Sequence, residues 1–317
     1  MTASTAAPPA PVRTPRRAGD RIFSGASLAG GLVILIALAA VAIFLIAQSL
    51  PAFGAKTTDI TSTGEYANFW AYVGPLTFGT IWSALLALVF AVPFSLAIAL
   101  FTSHYAPRRI ARGLGATVDL LAAIPSVVYG AWGIFVFAPF VQPFYTFLND
   151  ALGWFPLFSG TVSASGRTIL TVAMVLAVMV IPIVTALSRE IFLQTPRLNE
   201  EAALALGATR WEMIQMAVLP FGRAGVVSAV MLGLGRALGE TLAVAMVLSP
   251  SVVVSLILLR TENPTTVAAN IALQFPESFG TKLNVLIATG LILFVITFAV
   301  NAASRAVVGR RGGGKGI

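Results

Sequence analysis

Six long apolar blocks, separated by shorter polar stretches, make up most of this sequence. They cover approximately residues 28–48, 77–101, 117–140, 168–188, 223–249 and 284–303. A helix of about twenty apolar residues is long enough to cross the hydrocarbon layer of a bilayer. The pattern therefore predicts an all-α membrane protein with six transmembrane helices. The first block is longer than the roughly 7–15 residues of a signal-peptide core, so it is interpreted as a retained span.

The composition agrees with this interpretation. Of the 317 residues, 57% are hydrophobic and only 10% are charged, whereas soluble domains carry about 25% charged residues. The chain contains no cysteine, which excludes disulfides, thiolate metal sites and a cysteine nucleophile. We expect a disordered basic tail at residues 1–25, a membrane domain at 26–305 and a second basic tail at 306–317.

The formal charge of +8 is a topology signal, because lysine and arginine concentrate in cytoplasmic loops. With the N-terminus inside, fifteen basic residues fall in inside segments and four in outside segments: Lys56, Arg167, Arg260 and Lys282. Both termini are therefore predicted to be cytoplasmic. The same distribution argues for a lipid bilayer and against a nucleic-acid partner.

A polar island, residues 195–220, interrupts the apolar pattern on the predicted cytoplasmic side. Thr195 is predicted to cap a helix that begins at Pro196, where the missing N–H of proline costs nothing. Gly207 follows that helix at a position that favours a left-handed residue. Thr209 and Glu212 have the spacing of a capping box. We expect two short cytoplasmic helices over 196–219, the second ending before Pro220.

Two charged residues lie near the middle of the fifth block, where a charge costs at least ~2.5–3.5 kcal/mol. Arg236 and Glu240 are four residues apart, which predicts that they share a helix face and can neutralise each other. They could form a structural ion pair. Alternatively, Arg236 could be a station, meaning a transient binding site, for an anionic substrate, since guanidinium suits oxyanions. Gly235 and Gly239 are predicted to allow close approach of another helix.

The third block contains Pro125 and Gly130, which predict a bent or interrupted helix. That bend could serve packing alone, or it could line a cavity. Aromatic residues in the predicted external segments (50–76, 141–167 and 250–283) leave three alternatives open. They are an interfacial belt, a docking face for an external partner, or a lining of the pathway.

No catalytic or metal-binding set is recognisable in the sequence. His104, the single histidine, is predicted to be a surface residue beside Arg108 and Arg109. The glycine-rich run at 309–315 resembles a phosphate loop, but it lacks the required Ser or Thr and has no helix after it. We therefore expect no catalytic residue, no metal and no cofactor bound by this chain.

The polar island also carries a family motif. Glu201-Ala202-Ala203, Gly207 and the closing Leu219-Pro220 resemble the EAA loop of ATP-binding-cassette importer permeases; Ala217 replaces the usual isoleucine. The resemblance implies a type I, MetI-like permease. It also implies that this loop docks on a cytoplasmic ATPase, which would bind the ATP and Mg²⁺.

A narrower resemblance covers the chain from about residue 25. The runs 124–130 and 232–241, IPSVVYG and LGLGRALGET, are similar to those of PstC-type permeases of phosphate importers. This implies a heterodimer with a PstA-like permease, a PstB-like ATPase dimer and a PstS-like phosphate-binding protein. It also implies that Arg236 and Glu240 meet the phosphate pathway. An importer of another oxyanion, such as sulfate or molybdate, and a self-powered secondary transporter are the alternatives. A membrane enzyme is a more distant one, because the reactive groups it would need are missing.

Overall fold

The computed structural model describes residues 18–55, 66–249 and 251–312, and every regular element within them is helical. The α-helices, in chain order, are α1 (Ala18–Ser49), α2 (Phe69–Leu100), α3 (Arg108–Ala122), α4 (Ser126–Trp132), α5 (Ala138–Leu152), α6 (Ile169–Leu193), α7 (Arg197–Ala205), α8 (Arg210–Met213), α9 (Leu219–Gly239), α10 (Leu242–Val247), α11 (Val267–Gln274) and α12 (Thr281–Gly312). Short π-helical turns continue α2 to Tyr105 and join α4 to α5 and α8 to α9.

Six helical stretches are long and apolar enough to cross a membrane, as predicted. They are Ile22–Gly54, Phe69–Tyr105, Ser126–Leu152, Ile169–Leu193, Arg210–Gly239 and Thr281–Ala306. Two of them extend into the predicted tails, since α1 begins at Ala18 and α12 continues to Gly312. Residues 1–17 and 313–317 of those tails lie outside the described residues.

The chain divides into two compact units, Met1–Ala47 and Gln48–Ile317. The described part of the first unit belongs to α1, whose apolar side chains, such as Leu35 and Phe44, are exposed along their length. An exposed apolar helix of this length suits a hydrocarbon environment.

The second unit is organised around α6. In its most apolar window 72% of the residues are buried, against 33% or less in the other spanning helices. Helices α2 and α9 pack against it most extensively. Val180 and Val184 of α6 join Ala84 and Ala91 of α2, and Ala237 of α9, in one core cluster.

Glycines bring α9 close to α6. A Cβ added at Gly225 would lie 2.7 Å from Cδ1 of Ile191, and one at Gly233 would lie 2.8 Å from methyl carbons of Val180 and Val184. Contacts this short leave room for hydrogen only. The predicted pair, Gly235 and Gly239, has no atom within 4 Å of the added Cβ. No helix of the described residues therefore packs against these two glycines, and their contact with a helix of another subunit stays a prediction.

The third apolar block, predicted as one span over 117–140, is divided between two elements. Helix α3 ends at Ala122, and Pro125 precedes the first residue of α4. Proline disfavours the helical conformation in the residue before it, so the chain breaks there. The crossing helix is Ser126–Leu152, which takes in residues predicted to be external, while α3 is a separate amphipathic helix.

The fifth block, predicted as one span over 223–249, is also interrupted. Helix α9 ends at Gly239, and Glu240 has an extended backbone with φ −68° and ψ 128°. The main-chain N–H of Ala243 donates to Oε1 of Glu240 at 3.1 Å. The carboxylate thereby accepts from one of the unpaired N–H groups at the start of α10. A polar contact with the main chain stabilises this break, and hydropathy does not reveal it.

The segment before α11, predicted to be external, packs against α2. Asn263, Thr265 and Thr266 are buried, and the main-chain N–H of Val267 donates to Oγ1 of Thr80 at 2.9 Å. Part of the predicted loop is therefore integrated with the membrane helices.

Candidate functional site

The polar island forms a helix, a left-handed glycine and a second helix start. Helix α7 spans Arg197–Ala205, and its cap is Pro196 rather than the predicted Thr195. Gly207 has φ +87°, the left-handed region in which glycine avoids the Cβ penalty. The turn chemistry expected from the sequence is thus present, with the cap displaced by one residue.

The predicted capping box is confirmed. The N–H of Glu212 donates to Oγ1 of Thr209 at 3.3 Å, and the N–H of Thr209 donates to Oε2 of Glu212 at 2.7 Å. The prediction that this helix stops before Pro220 is wrong. A π-helical turn over Ile214–Val218 carries it into α9, where Pro220 occupies the first turn. Proline has no N–H to donate, and it lies just after this π-helical turn, where the regular α-helical hydrogen-bond pattern is already interrupted.

The polar island exposes most of its motif residues and buries one. Glu201 and Ala202 are exposed, whereas Ala203 packs in a cluster with Phe192 and Ile214. Leu206, 89% exposed, borders a cavity of about 510 Å³ that is also lined by Ala202 and Pro220. Leu219 is half-buried. An apolar, open surface of this kind is typical of an interaction site.

His104 links the polar island to the end of the second span, so the prediction that it is a surface residue is wrong. Its side chain is 8% exposed, and Nε2 lies 3.4 Å from Oε1 of Glu200 in α7. The other ring nitrogen, Nδ1, lies 2.7 Å from Oγ of Ser103. His104 and Glu200 are 96 positions apart in the sequence, so no local sequence pattern predicts this contact.

Arg236 lines a cavity of about 700 Å³ between α6, α9 and α12. Its Nε atom is buried and has no hydrogen-bond partner in the part of the chain that the structure describes. Among the described residues, those that line the cavity include a second arginine, Arg305, and no acidic residue. Such a cavity favours an anion and disfavours a cation.

Arg236 and Glu240 do not form the predicted ion pair. The ion pairs among the described residues are His104–Glu200 and Arg260–Glu262. Because the helix ends at Gly239, the four-residue spacing no longer places both side chains on one face. Glu240 is buried and caps α10 instead, which leaves the positive charge of Arg236 without that partner.

Pro125 and Gly130, predicted together as a bend, have different structural roles. The break lies at Pro125, directly before α4. Gly130 lies within α4, and an added Cβ would stand 2.9 Å from Cα of Ala243 in α10. Gly130 therefore allows α4 to approach the short helix that follows Glu240.

Sequence reasoning missed the contact between His104 and Glu200, the lining role of Arg305 and the close packing at Gly233. Only the last had a local signal. Gly225, Ala229, Gly233 and Ala237 recur every four residues, which predicts a small-residue stripe on one helix face.

Comparisons with known proteins agree over most of the chain. A family model described as binding-protein-dependent transport system inner membrane component matches residues 91–312. Phosphate transport system permease protein PstC 2 of Mycobacterium bovis is 48% identical over 306 residues, 93% of each chain. The PstC protein of Mycobacterium leprae is 45% identical and covers 92% of this chain and 94% of its own. The PstC protein of Xylella fastidiosa is 40% identical, covering 90% and 89%.

Two solved structures share the fold. A bacterial ABC transporter involved in the import of the acidic polysaccharide alginate aligns with TM-score 0.54 and 17% identity, covering 90% of this chain and 99% of the other. The inward-facing MetNI methionine ABC transporter aligns with TM-score 0.50 and 16% identity, covering 76% and 92%. At these identities the likeness establishes the permease fold alone.

Proposed function

The chain belongs to the binding-protein-dependent transport system inner membrane component family, and from this premise we propose that it is the permease subunit of an ATP-driven importer of inorganic phosphate. It is a multi-pass protein of the cytoplasmic membrane. The near full-length similarity to PstC proteins of several bacteria supports phosphate as the substrate. The observation that carries the proposal is the cavity that Arg236 lines and that has no acidic residue among its described lining residues.

The substrate step assigned to Arg236 is transient binding of the oxyanion. The planar donors of guanidinium match phosphate oxygens, and the buried Nε has no hydrogen-bond partner among residues 18–55, 66–249 and 251–312. A charge at membrane depth is costly, so an arriving anion relieves part of that cost. Glu240 stabilises the break between α9 and α10, because its carboxylate accepts a hydrogen bond from the main-chain N–H of Ala243. This hydrogen bond fixes where α9 ends, close to Arg236.

The chemical driving force is assigned to partner subunits. A PstB-like ATPase dimer, which binds ATP and Mg²⁺, would dock on the polar island from the cytoplasm. A PstA-like permease would complete the pathway, and a PstS-like protein would deliver phosphate from outside. This arrangement has both termini in the cytoplasm, in agreement with the fifteen-to-four distribution of basic residues.

Movement of the ATPase would reach the membrane helices by two routes. The π-helical turn joins α8 directly to α9, which carries Arg236. The contact between Glu200 and His104 joins α7 to the end of the second span. Glu201, Ala202, Gly207 and Pro220 would meet the ATPase, because they are exposed. Ala203, which is buried, and Leu219, which is half-buried, would support that surface from the protein side.

The test is Arg236→Gln in the complete reconstituted complex. We expect phosphate uptake to be lost while assembly and ATP hydrolysis persist. Arg223→Gln is the matched control, because Arg223 is an exposed residue of the same helix and does not line the cavity. Normal uptake by the Arg236 variant would refute the assignment. Competition with sulfate and molybdate distinguishes the other oxyanions, and uptake without ATP would instead establish a secondary transporter.

A further inference from the structure

The cavity beside Arg236 extends along α9 and α12, and it is lined by more polar residues than one binding site for an oxyanion needs. Ser228 lies on α9 eight residues before Arg236, which corresponds to about 12 Å along a helix. Asn301, Ser304 and Arg305 line the same cavity from α12. The cavity volume, about 700 Å³, exceeds the space that one tetrahedral oxyanion occupies.

The order of Arg236 and Arg305 across the membrane follows from the directions in which α9 and α12 run. Helix α9 begins beside the polar island and α12 ends at the C-terminal tail, so both of these ends lie on the proposed cytoplasmic side. Arg305 is in the last third of α12, whereas Arg236 is three residues before the end of α9. Arg305 therefore lies on the cytoplasmic side of Arg236.

The side chains that line the cavity indicate which kind of ligand can bind there. Residues with two guanidinium groups, one carboxamide and two serine hydroxyls line one cavity, and none of its described lining residues carries a carboxylate. These are donors for an oxyanion. Passage through a site requires binding that is favourable enough to enter and weak enough to leave, which several successive stations achieve better than one tight site.

We propose that Arg305, together with Asn301 and Ser304, forms a second oxyanion station that receives phosphate from Arg236 before release into the cytoplasm. This inference rests on the proposed function for the direction of transport, but the binding of an oxyanion can be tested independently of transport. The phosphate group of a lipid has the same chemistry as the free ion, and the experiment separates the two.

The absence of cysteine from this chain allows a charge-sensitive thiol probe. Ser304→Cys is introduced into the chain, and the complete complex is placed in nanodiscs of zwitterionic lipid only. Modification of this chain by an anionic and by a cationic methanethiosulfonate reagent is followed by mass spectrometry. We expect the anionic reagent to react about tenfold faster, because a positive cavity concentrates anions.

Three further results are expected. Inorganic phosphate slows the modification in the zwitterionic nanodiscs, whereas sodium chloride of equal ionic strength does not. Arg305→Gln removes most of the preference for the anionic reagent and most of the protection. Ala302→Cys is the matched control on the same helix, because Ala302 is exposed but does not line the cavity; neither phosphate nor Arg305→Gln changes its modification.

Uptake by Arg305→Gln gives the second measurement. We expect its apparent KM for phosphate to rise several-fold with ATP hydrolysis retained, and Arg305→Lys to restore part of the loss. The inference is overturned if uptake and labelling of the Arg305→Gln variant match those of the parent. It is also overturned if the thiol at position 304 is protected only after anionic lipid is added, or if a partner subunit covers this thiol and prevents its modification.

The two proposals fail in different ways. Loss of uptake in Arg236→Gln with a fully active Arg305→Gln contradicts the second station and leaves the importer proposal intact. A complex that takes up no phosphate, but whose introduced thiol is still protected by phosphate, contradicts the importer proposal and supports the oxyanion station.

Discussion

Replacing Gly207 with alanine tests whether the left-handed turn after α7 transmits movement from the ATPase to the membrane helices. Gly207 has φ +87°, and no atom of the described residues lies within 4 Å of the position that a Cβ would take. The substitution therefore introduces backbone strain without a collision in this chain. A left-handed conformation costs a residue with a Cβ roughly 1–2 kcal/mol, which corresponds to about a 5–30-fold loss in the population of the native turn.

Gly207→Asn distinguishes the effect of backbone strain from the effect of side-chain size. Asparagine is larger than alanine, yet it adopts the left-handed region more readily. If the conformation of the turn matters, the alanine variant loses more function than the asparagine variant. If the side chain obstructs the ATPase surface, the order is reversed.

The assay measures phosphate taken up per ATP hydrolysed by reconstituted complex, together with the amount of ATPase that co-purifies. Gly113→Ala is the control, because Gly113 lies within α3 and an added Cβ there also meets no atom within 4 Å. We expect a several-fold loss of coupling for Gly207→Ala, a smaller loss for Gly207→Asn and none for the control. Equal activity of both Gly207 variants and the parent would refute the strain argument, and a greater loss for asparagine would place the effect at the docking surface.

Two further sets of substitutions test packing and coupling. Gly233→Ala places a Cβ 2.8 Å from methyl carbons of Val180 and Val184, so we expect a loss of about 1–3 kcal/mol in stability and a lower Tm. Gly235→Ala is the control and should leave Tm unchanged, because its added Cβ meets no atom of the described residues within 4 Å. Equal Tm values for the two variants would contradict the α6–α9 packing. His104→Ala and Glu200→Gln should each lower uptake per ATP, and the double variant should be no worse than the more impaired single variant, because both remove one contact. Additive losses would show that the two residues act separately.

Local chemistry accounts for the parts of the fold that were predicted correctly. Thr209 and Glu212 need only a three-residue spacing to form a capping box, and Gly207 needs only its own conformational freedom. The number of membrane helices follows from the length of the apolar blocks, since the bilayer imposes one requirement on each block separately. The deep position of Arg236 likewise follows from its place in an apolar block.

The interruptions of the helices were harder to predict, because they depend on polar contacts as well as on hydropathy. The break at Pro125 follows from the conformation that proline imposes on its neighbour, and the sequence indicated it. The break after Gly239 is held by the carboxylate of Glu240 on the N–H of Ala243. A window of apolar residues contains no information about that hydrogen bond, so a continuous span and an Arg236–Glu240 pair were both wrongly predicted.

Contacts between distant residues required the assembled structure. His104 meets Glu200 across 96 residues of chain, and Arg305 faces the cavity of Arg236 because α12 packs beside α9. Helical periodicity gives the face on which a residue lies, but it does not give the helix that this face meets. The sequence thus establishes a membrane permease with one deep positive charge, whereas helix packing determines that this charge has no acidic partner at Glu240 and shares its cavity with a second arginine.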